Sequence, residues 1–305
     1  MIKRTIYFGN PAYLNQTMGQ LVITIPKVEG QENEKKTIPI EDIGVIILDN
    51  SQITITQSVM TKLLENNVAI ITCDQYHHPI GLQLCLDSNT IQSERFQSQI
   101  NCSESLRKNL WQQTIISKIY NQAMLLKELN VPIINMITWS NSVLTGDSKN
   151  HEARAAAYYW KNLLESHQNF KRERFGEYPN NFFNYAYAII RATTARSLVA
   201  SGLLPTFGIH HKNRYNAYCL ADDVMEPYRP FADKIVLETI KQYPEEEKLT
   251  TQIKAKLLTL PIIDVEINKH TSPLQIAIQE TTTSLSQCLD STRRKIKYPT
   301  WSGTI

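Results

Sequence analysis

The chain has 305 residues, of which 42% are hydrophobic and 20% charged, enough for one large or two ordinary domains with a real core. The formal net charge of +3 neither demands nor excludes a nucleic-acid partner, so any DNA-binding surface must come from local basic clusters. No apolar run reaches the length of a membrane span and the N-terminus lacks a signal-peptide core, so we expect a cytoplasmic protein without a membrane partner.

Residues 1–86 are predicted to form a small β-rich domain. Five short runs have the apolar, β-branched composition of strands and are bounded mainly by glycine, asparagine or proline. They lie at residues 5–8, 20–25, 44–48, 68–72 and 80–84. The charged stretch 28–36 is expected to be a hairpin loop, and one helix is expected from the N-cap residue Thr56 to about Glu65.

No catalytic constellation is evident in this first domain. His77-His78 precedes Pro79, and Asp74 is the one acid within a few residues, so an exposed turn is the favoured interpretation. A small β domain with exposed strand edges suits pairing with a second copy of the chain, which predicts a dimerisation role.

The polar stretch 87–97 is predicted to be a linker, and residues 98–305 are predicted to be helical. Apolar periodicity and N-cap residues indicate the helices. They span about 103–129, 132–146, 150–160, 180–200, 235–242, 250–258 and 272–289. Pro227 and Pro230 predict a kink or break just after Glu226. The predicted fold class is α+β, with a small N-terminal β-rich domain followed by a larger all-α C-terminal domain.

Two histidines and three carboxylates lie within residues 208–227. Asp223 and Glu226 are three residues apart, so a helical turn places both on one face. The adjacent His210 and His211 supply imidazoles, and an imidazole with carboxylates suits a divalent ion such as Mn²⁺ or Mg²⁺. The spacing therefore makes this stretch a candidate metal site.

Glu152 is the upstream candidate for a third ligand. It lies in the first turn of the helix that Asn150 is expected to cap. Two plainer interpretations stay open from spacing alone. Glu152 would then only complement the helix dipole, and the histidine pair would be satisfied by hydrogen bonds.

Two segments resemble the signatures of a known family. Residues 152–160 (EARAAAYYW) match the first signature, and residues 208–211 (GIHH) with 220–230 (LADDVMEPYRP) match the second. Over essentially its whole length the chain resembles the CRISPR-associated spacer integrases, the first protein of the adaptation module. The Ala-Asp-Asp that precedes Met-Glu-Pro is similar to the members from type II systems.

The resemblance implies a site for Mn²⁺ or Mg²⁺ made of Glu152, His211 and Glu226, which are also the implied catalytic residues. Asp223 corresponds to a second acid near that site, and His210 lies beside the implied ligand. Basic side chains around these segments are expected to contact DNA phosphates. They are Arg172, Arg174, Arg191, Arg196, Lys212, Arg214 and Arg229.

The implied function is CRISPR adaptation by a metal-dependent DNA endonuclease and integrase, which inserts new spacer DNA by attack of a 3′-hydroxyl on a phosphodiester. Whether His211 is a metal ligand or a general acid stays open. Alanine in place of each implied ligand is predicted to abolish strand transfer and to leave the fold and duplex binding largely intact. The alternatives are a non-catalytic DNA-binding scaffold subunit and a metal hydrolase of small phosphoesters.

The resemblance also implies a set of partners. The DNA partners are the spacer precursor and the CRISPR repeat. A homodimer joined through the N-terminal domains is expected, and two dimers are expected to bridge a small ferredoxin-like second adaptation protein in a heterohexamer. The type II effector nuclease is a further implied partner.

Overall fold

The computed structural model describes residues 2–26, 33–164, 170–173 and 176–301, and the chain divides into two units between Thr90 and Ile91. The first unit is β-rich, as predicted. Its elements are β1 (Arg4–Phe8), β2 (Ala12–Thr17), β3 (Gln20–Ile25), β4 (Glu34–Pro39), β5 (Ile43–Leu48), β6 (Ile53–Ile55), α1 (Gln57–Glu65), β7 (Ala69–Cys73) and β8 (Pro79–Gln83).

Two four-stranded sheets make up this unit. One has the strand order β1-β5-β7-β8, parallel except for the β7–β8 hairpin. The other has the order β4-β3-β2-β6, in which only β6 runs parallel to its neighbour. Residues 43–47 of β5 are all buried, as expected for a nearly continuous apolar run. Thr56 caps α1 as predicted, because its side chain accepts a hydrogen bond from the Val59 amide.

Three strands of the first unit were not predicted from the sequence. β2 and β6 were not predicted, and the stretch expected to be a loop contributes Glu34–Lys36 to β4. β4 is an edge strand whose first four residues are exposed, so its sequence carries no apolar signal. Residues 28–32 of the predicted loop lie outside the described residues.

The turn at His77 is exposed, as predicted, but it has an acidic partner that is distant in sequence. His77 Nδ1 lies 2.8 Å from Asp49 Oδ1, and the Tyr7 hydroxyl donates to Asp49 Oδ2 at 2.7 Å. Asp49 is buried at the end of β5, where the ends of β1 and β7 also lie. Sheet pairing therefore supplies a contact that local sequence does not reveal.

The second unit is mostly helical. Its helices are α2 (Gln92–Ile100), α3 (Glu104–Glu128), α4 (Ile134–Asn141), α5 (His151–Leu163), α6 (Asn180–Ala200), α7 (Cys219–Met225), α8 (Arg229–Gln242), α9 (Thr251–Leu257) and α10 (Leu274–Leu289). A small antiparallel sheet of order β10-β9-β11 accompanies them. Its strands are β9 (Asp264–Ile267), β10 (His270–Pro273) and β11 (Pro299–Thr300).

Two parts of the predicted organisation need correction. Residues 87–97 are not a linker throughout, because α2 begins at Gln92 and belongs to the second unit. The second unit is not all-helical, because β9, β10 and β11 form a sheet. These strands have two to four residues each, too short to produce a clear period of two in the sequence. The α+β class with the β-rich part first is confirmed.

Helix α3 organises the second unit. It has 25 residues and packs against α4, α5, α8 and the 3₁₀ turn Glu226–Tyr228. Its buried face carries apolar residues such as Ile115 and Ile119, but also the polar Lys118 and Asn121. Asn121 Nδ2 donates to the Pro227 carbonyl at 2.8 Å, so α3 holds the turn that follows Glu226. The break predicted after Glu226 is this 3₁₀ turn.

Asp233 links three helices and is expected to give the fold a specific pH dependence. It accepts hydrogen bonds from the Tyr159 and Tyr187 hydroxyls, at 2.7 and 2.6 Å. Burial raises the pKa of Asp233 to about 6, although those bonds and the charges of Arg172 and Arg229 oppose the shift. In the unfolded chain the Asp233 carboxyl has its ordinary pKa of about 4, whereas in the folded chain its pKa is about 6. The folded state therefore holds this proton more tightly, which stabilises it below about pH 4. That contribution to the free energy of unfolding is lost as the pH rises through about 6.

The measurement is the free energy of unfolding of wild type and Asp233→Asn by urea titration between pH 4 and 7. The difference between the two proteins is expected to shift against wild type by on the order of 3 kcal/mol over this range. A difference that stays constant with pH would contradict the assignment.

No helix in the described part of the chain is long and apolar enough to cross a bilayer.

Candidate active site

The start of α5 is held by Asp147 rather than by the predicted cap. Asn150 has a left-handed backbone (φ 53°) and its side chain caps nothing. The Asp147 carboxylate instead accepts hydrogen bonds from the His151 and Glu152 amides, both at 2.9 Å. Asp147 therefore fixes the first turn of α5, on which Glu152 lies.

Replacing Asp147 with alanine is expected to destabilise the protein by about 1–2 kcal/mol, because two amides lose their acceptor. The left-handed backbone at Asp147 (φ 51°) adds to the cost for alanine and is tolerated by asparagine. Asp147→Asn retains one acceptor and is the matched control, expected to lose less. Equal urea midpoints for both variants and wild type would show that this cap contributes nothing.

The two predicted carboxylates converge on a lysine that the sequence prediction missed. Lys118 Nζ donates to Glu152 Oε1 at 2.6 Å and lies 2.8 Å from Glu226 Oε2. Arg229 forms a second ion pair with Glu226, at 3.0 Å from Oε1. Burial would raise the pKa of Glu226, but the charges of Arg229 and Lys118 outweigh it and hold the pKa below its usual value.

Asp223 holds the loop that carries the two histidines. Its carboxylate is fully buried and accepts hydrogen bonds from the His210 and His211 amides, at 2.9 and 3.3 Å. The ring Nδ1 of His211 also lies 2.5 Å from Asp223 Oδ1. That contact raises the pKa of His211, against the effect of burial, and the charges of Glu226 and Glu152 act in the same direction.

The adjacent histidines have different environments. His210 stacks on Trp111, with ring centroids 4.1 Å apart and planes 2° from parallel, and burial lowers its pKa. His211 meets Trp111 edge-on, and its Nδ1 contact to Asp223 leaves Nε2 as its other donor atom. The two rings therefore differ in their contacts: His210 stacks on an indole, whereas His211 is held by a carboxylate through one ring nitrogen.

Glu152, His211 and Glu226 have the types of donor atom that divalent cations accept, but among the described residues no three His, Cys, Asp or Glu side chains stand in metal-binding geometry. Two carboxylates already share one cation, the Lys118 ammonium. The buried Glu226 Oε2 accepts no hydrogen bond from any described residue, although it forms the ion pair with Lys118. Carboxylate oxygens with an imidazole are the donors that Mn²⁺ and Mg²⁺ accept in proteins.

Most of the predicted DNA-contacting arginines are engaged inside the fold. Arg229 pairs with Glu226, and Arg191 Nε lies 2.7 Å from Asp222. Arg172 donates to Asn180 and Asn184 and lies over the Tyr187 ring at 5.0 Å. Arg196 is partly buried, and this burial lowers its pKa. Arg174 lies outside the described residues.

Among the members of that predicted set that the structure describes, Lys212 and Arg214 are the exposed ones. With Arg107, Phe207 and His211 they line a cavity of about 420 Å³. Basic side chains therefore line the same cavity as the His211 imidazole. Their exposure leaves their charge available to a ligand.

Known proteins resemble the chain along nearly all of its length. The family model described as "CRISPR associated protein Cas1" matches residues 6–259. The chain belongs to the Cas1 family. It is 32% identical to the CRISPR-associated endonuclease Cas1 of Neisseria meningitidis serogroup C (strain 8013), over 98% of this chain and 96% of that protein.

Two solved structures share the Cas1 fold of this chain. One is a casposase bound to its integration product, with a TM-score of 0.80 at 19% identity, covering 97% of this chain and 92% of that one. The other is a Cas6-RT-Cas1–Cas2 complex, with a TM-score of 0.74 at 17% identity, covering 96% of this chain and 35% of that one. At such low identity these likenesses show the fold alone.

Proposed function

We propose that this chain is a metal-dependent DNA endonuclease and integrase of CRISPR adaptation, acting by attack of a 3′-hydroxyl on a phosphodiester. The observation that carries the proposal is the convergence of Glu152 and Glu226 on one buried cation, Lys118. Membership of the Cas1 family, a relative named as an endonuclease, and the fold shared with a casposase bound to an integration product support it.

The residues that would hold Mn²⁺ or Mg²⁺ are Glu152, His211 and Glu226. When bound, the ion would act as a Lewis acid on the phosphoryl oxygens that gain charge during strand transfer. Asp223 keeps the His211 ring oriented through Nδ1. His211 is also the candidate to give a proton to the leaving oxygen, because contact with a carboxylate raises its pKa.

Lys212 and Arg214 are proposed to bind the DNA backbone beside the reacting phosphate. Glutamine at both positions is expected to lower duplex affinity and to reduce the slope of log affinity against log salt by about 2, because each phosphate contact releases about one counterion. Fluorescence anisotropy between 50 and 300 mM salt measures both quantities. Lys62→Gln with Lys108→Gln is the matched control, and a salt slope equal to wild type would contradict the contact.

The partners are part of the same proposal. The N-terminal β-rich unit would join two copies of the chain, and two dimers would bridge a small ferredoxin-like second adaptation protein in a heterohexamer. The fold neighbour that contains Cas1 and Cas2 in one complex supports a Cas2 partner. We also propose that the protein contacts a type II effector nuclease and that it is located in the cytoplasm.

The decisive experiment is integration of a labelled short duplex into a supercoiled plasmid, with and without Mn²⁺ and the second adaptation protein. Metal-dependent transfer of label to the plasmid is the expected result. Duplex binding without transfer would favour the non-catalytic scaffold. Faster turnover of a small phosphoester than of branched or duplex DNA would favour a phosphoesterase.

A further inference from the structure

Lys118 is an unusual residue for its position in α3. It lies on the face of the helix that carries Ile115 and Ile119, both fully buried, and is itself 7% exposed. A buried lysine is costly unless its charge is paired and hydrogen-bonded. Glu152 and Glu226 provide that pairing, so the buried lysine, the buried Glu226 and the partly exposed Glu152 form one ionic group.

The two acids in this group come from separate elements. Glu152 lies in the first turn of α5, and Glu226 begins the 3₁₀ turn after α7. Two carboxylates that share one small space repel each other, and each prefers a cation between them. Lys118 provides that cation, and the oxygens it uses belong to the two acids proposed to hold the divalent ion.

We propose that Lys118 is a built-in counter-cation, which holds Glu152 and Glu226 together when no divalent ion is bound and is displaced from them when one binds. This inference rests on the proposed metal-dependent function. An ammonium and a divalent ion cannot occupy the same point between the two carboxylates. The flexible four-carbon stem of a lysine lets its ammonium withdraw without movement of α3.

Displacement has a measurable consequence, because metal binding must break the contacts of Lys118. Lys118→Met keeps an apolar stem of similar length and removes the charge. Its affinity for Mn²⁺ is expected to rise about tenfold. Without metal, Lys118→Met is expected to melt at a lower temperature than wild type, because its two carboxylates lose their shared cation. Added Mn²⁺ is expected to raise the Tm of Lys118→Met by more than it raises the Tm of wild type.

The test is a calorimetric titration with Mn²⁺ alone, together with thermal melts with and without Mn²⁺. Lys108→Met is the matched control, since Lys108 lies on the same helix and pairs with the exposed Glu104, and its affinity for Mn²⁺ is expected to equal that of wild type. Weaker or unchanged Mn²⁺ binding by Lys118→Met would overturn the inference and would instead assign Lys118 a permanent structural role.

Two further measurements cover the remaining outcomes. If Lys118→Met does not fold, Lys118→Gln replaces it, and a crystal structure of wild type with Mn²⁺ gives a direct answer. In that structure we expect Lys118 Nζ to lie beyond hydrogen-bond distance of both carboxylates. An ammonium that still lies between them would overturn the inference. Metal-independent strand transfer by a wild type that binds no Mn²⁺ would refute the proposed metal dependence itself. If wild type binds Mn²⁺ but Lys118→Met does not bind it more tightly, this inference fails and the proposed metal dependence stands.

Discussion

Glu152→Gln is expected to reduce strand transfer by on the order of 10³-fold or more, and His211→Ala by a similar factor. Glutamine keeps the shape of Glu152 and an oxygen that accepts from Lys118, but it removes the negative charge that a divalent ion requires. Alanine at 211 removes the imidazole of the site. The measurement is the rate at which a labelled duplex joins a supercoiled plasmid in the presence of Mn²⁺.

Glu104→Gln is the matched control, because Glu104 is an exposed carboxylate on α3 that forms a surface ion pair with the exposed Lys108. Its rate is expected to equal that of wild type. The affinity of Glu152→Gln and of His211→Ala for duplex DNA is measured separately. It is expected to change little, because both variants keep Lys212 and Arg214. Strand transfer within tenfold of wild type in either variant would rule out the proposed site.

Glu226→Ala is expected to lower the free energy of unfolding by about 3–5 kcal/mol, in addition to abolishing strand transfer. Glu226 is shared by Lys118 and Arg229, and its removal leaves buried positive charge without its carboxylate. Glu152→Ala is expected to cost much less, because the Glu152 side chain is 25% exposed and Lys118 keeps Glu226. Urea unfolding at pH 7 measures both changes.

The double variant Glu226→Ala with Arg229→Met provides the internal check. Replacing both partners of a buried ion pair with apolar groups is far less costly than removing one. The double variant is therefore expected to recover part of the lost stability. If the free energy of unfolding of Glu226→Ala lies within about 1 kcal/mol of the wild-type value, the ion pairs around Glu226 contribute little to stability.

This expectation differs from the sequence-based prediction that alanine at each implied ligand leaves the fold intact. Nothing in the spacing of Glu152, His211 and Glu226 distinguishes a partly exposed acid from a buried one. Burial does, because Glu226 is 3% exposed and lies beside two cations, whereas the His211 side chain is 42% exposed. Position 226 is therefore expected to matter for stability as well as for chemistry.

Local features of the chain were well predicted where a strong periodic signal or a cap residue was present. The long helix α3, the Thr56 cap and the break after Glu226 follow from apolar spacing, N-cap chemistry and prolines, all of which act over a few residues. The charged edge strand β4 was missed for the same reason, because an exposed edge has no apolar pattern to detect.

Composition, periodicity and signature residues were enough to predict the α+β class, the family and the short stretch that holds the acids and histidines. The pairing of Lys118 with Glu152 and Glu226 became visible only in the fold. Lys118 is separated from Glu226 by more than a hundred residues of chain, and Arg191 and Arg172 form internal contacts that sequence spacing does not show. The Arg229–Glu226 pair differs, because its members are three residues apart and spacing alone is compatible with it. The physical reason is that helical periodicity is a property of neighbouring residues, whereas the pairing of buried charges depends on how α3, α5 and the 226–228 turn pack against one another.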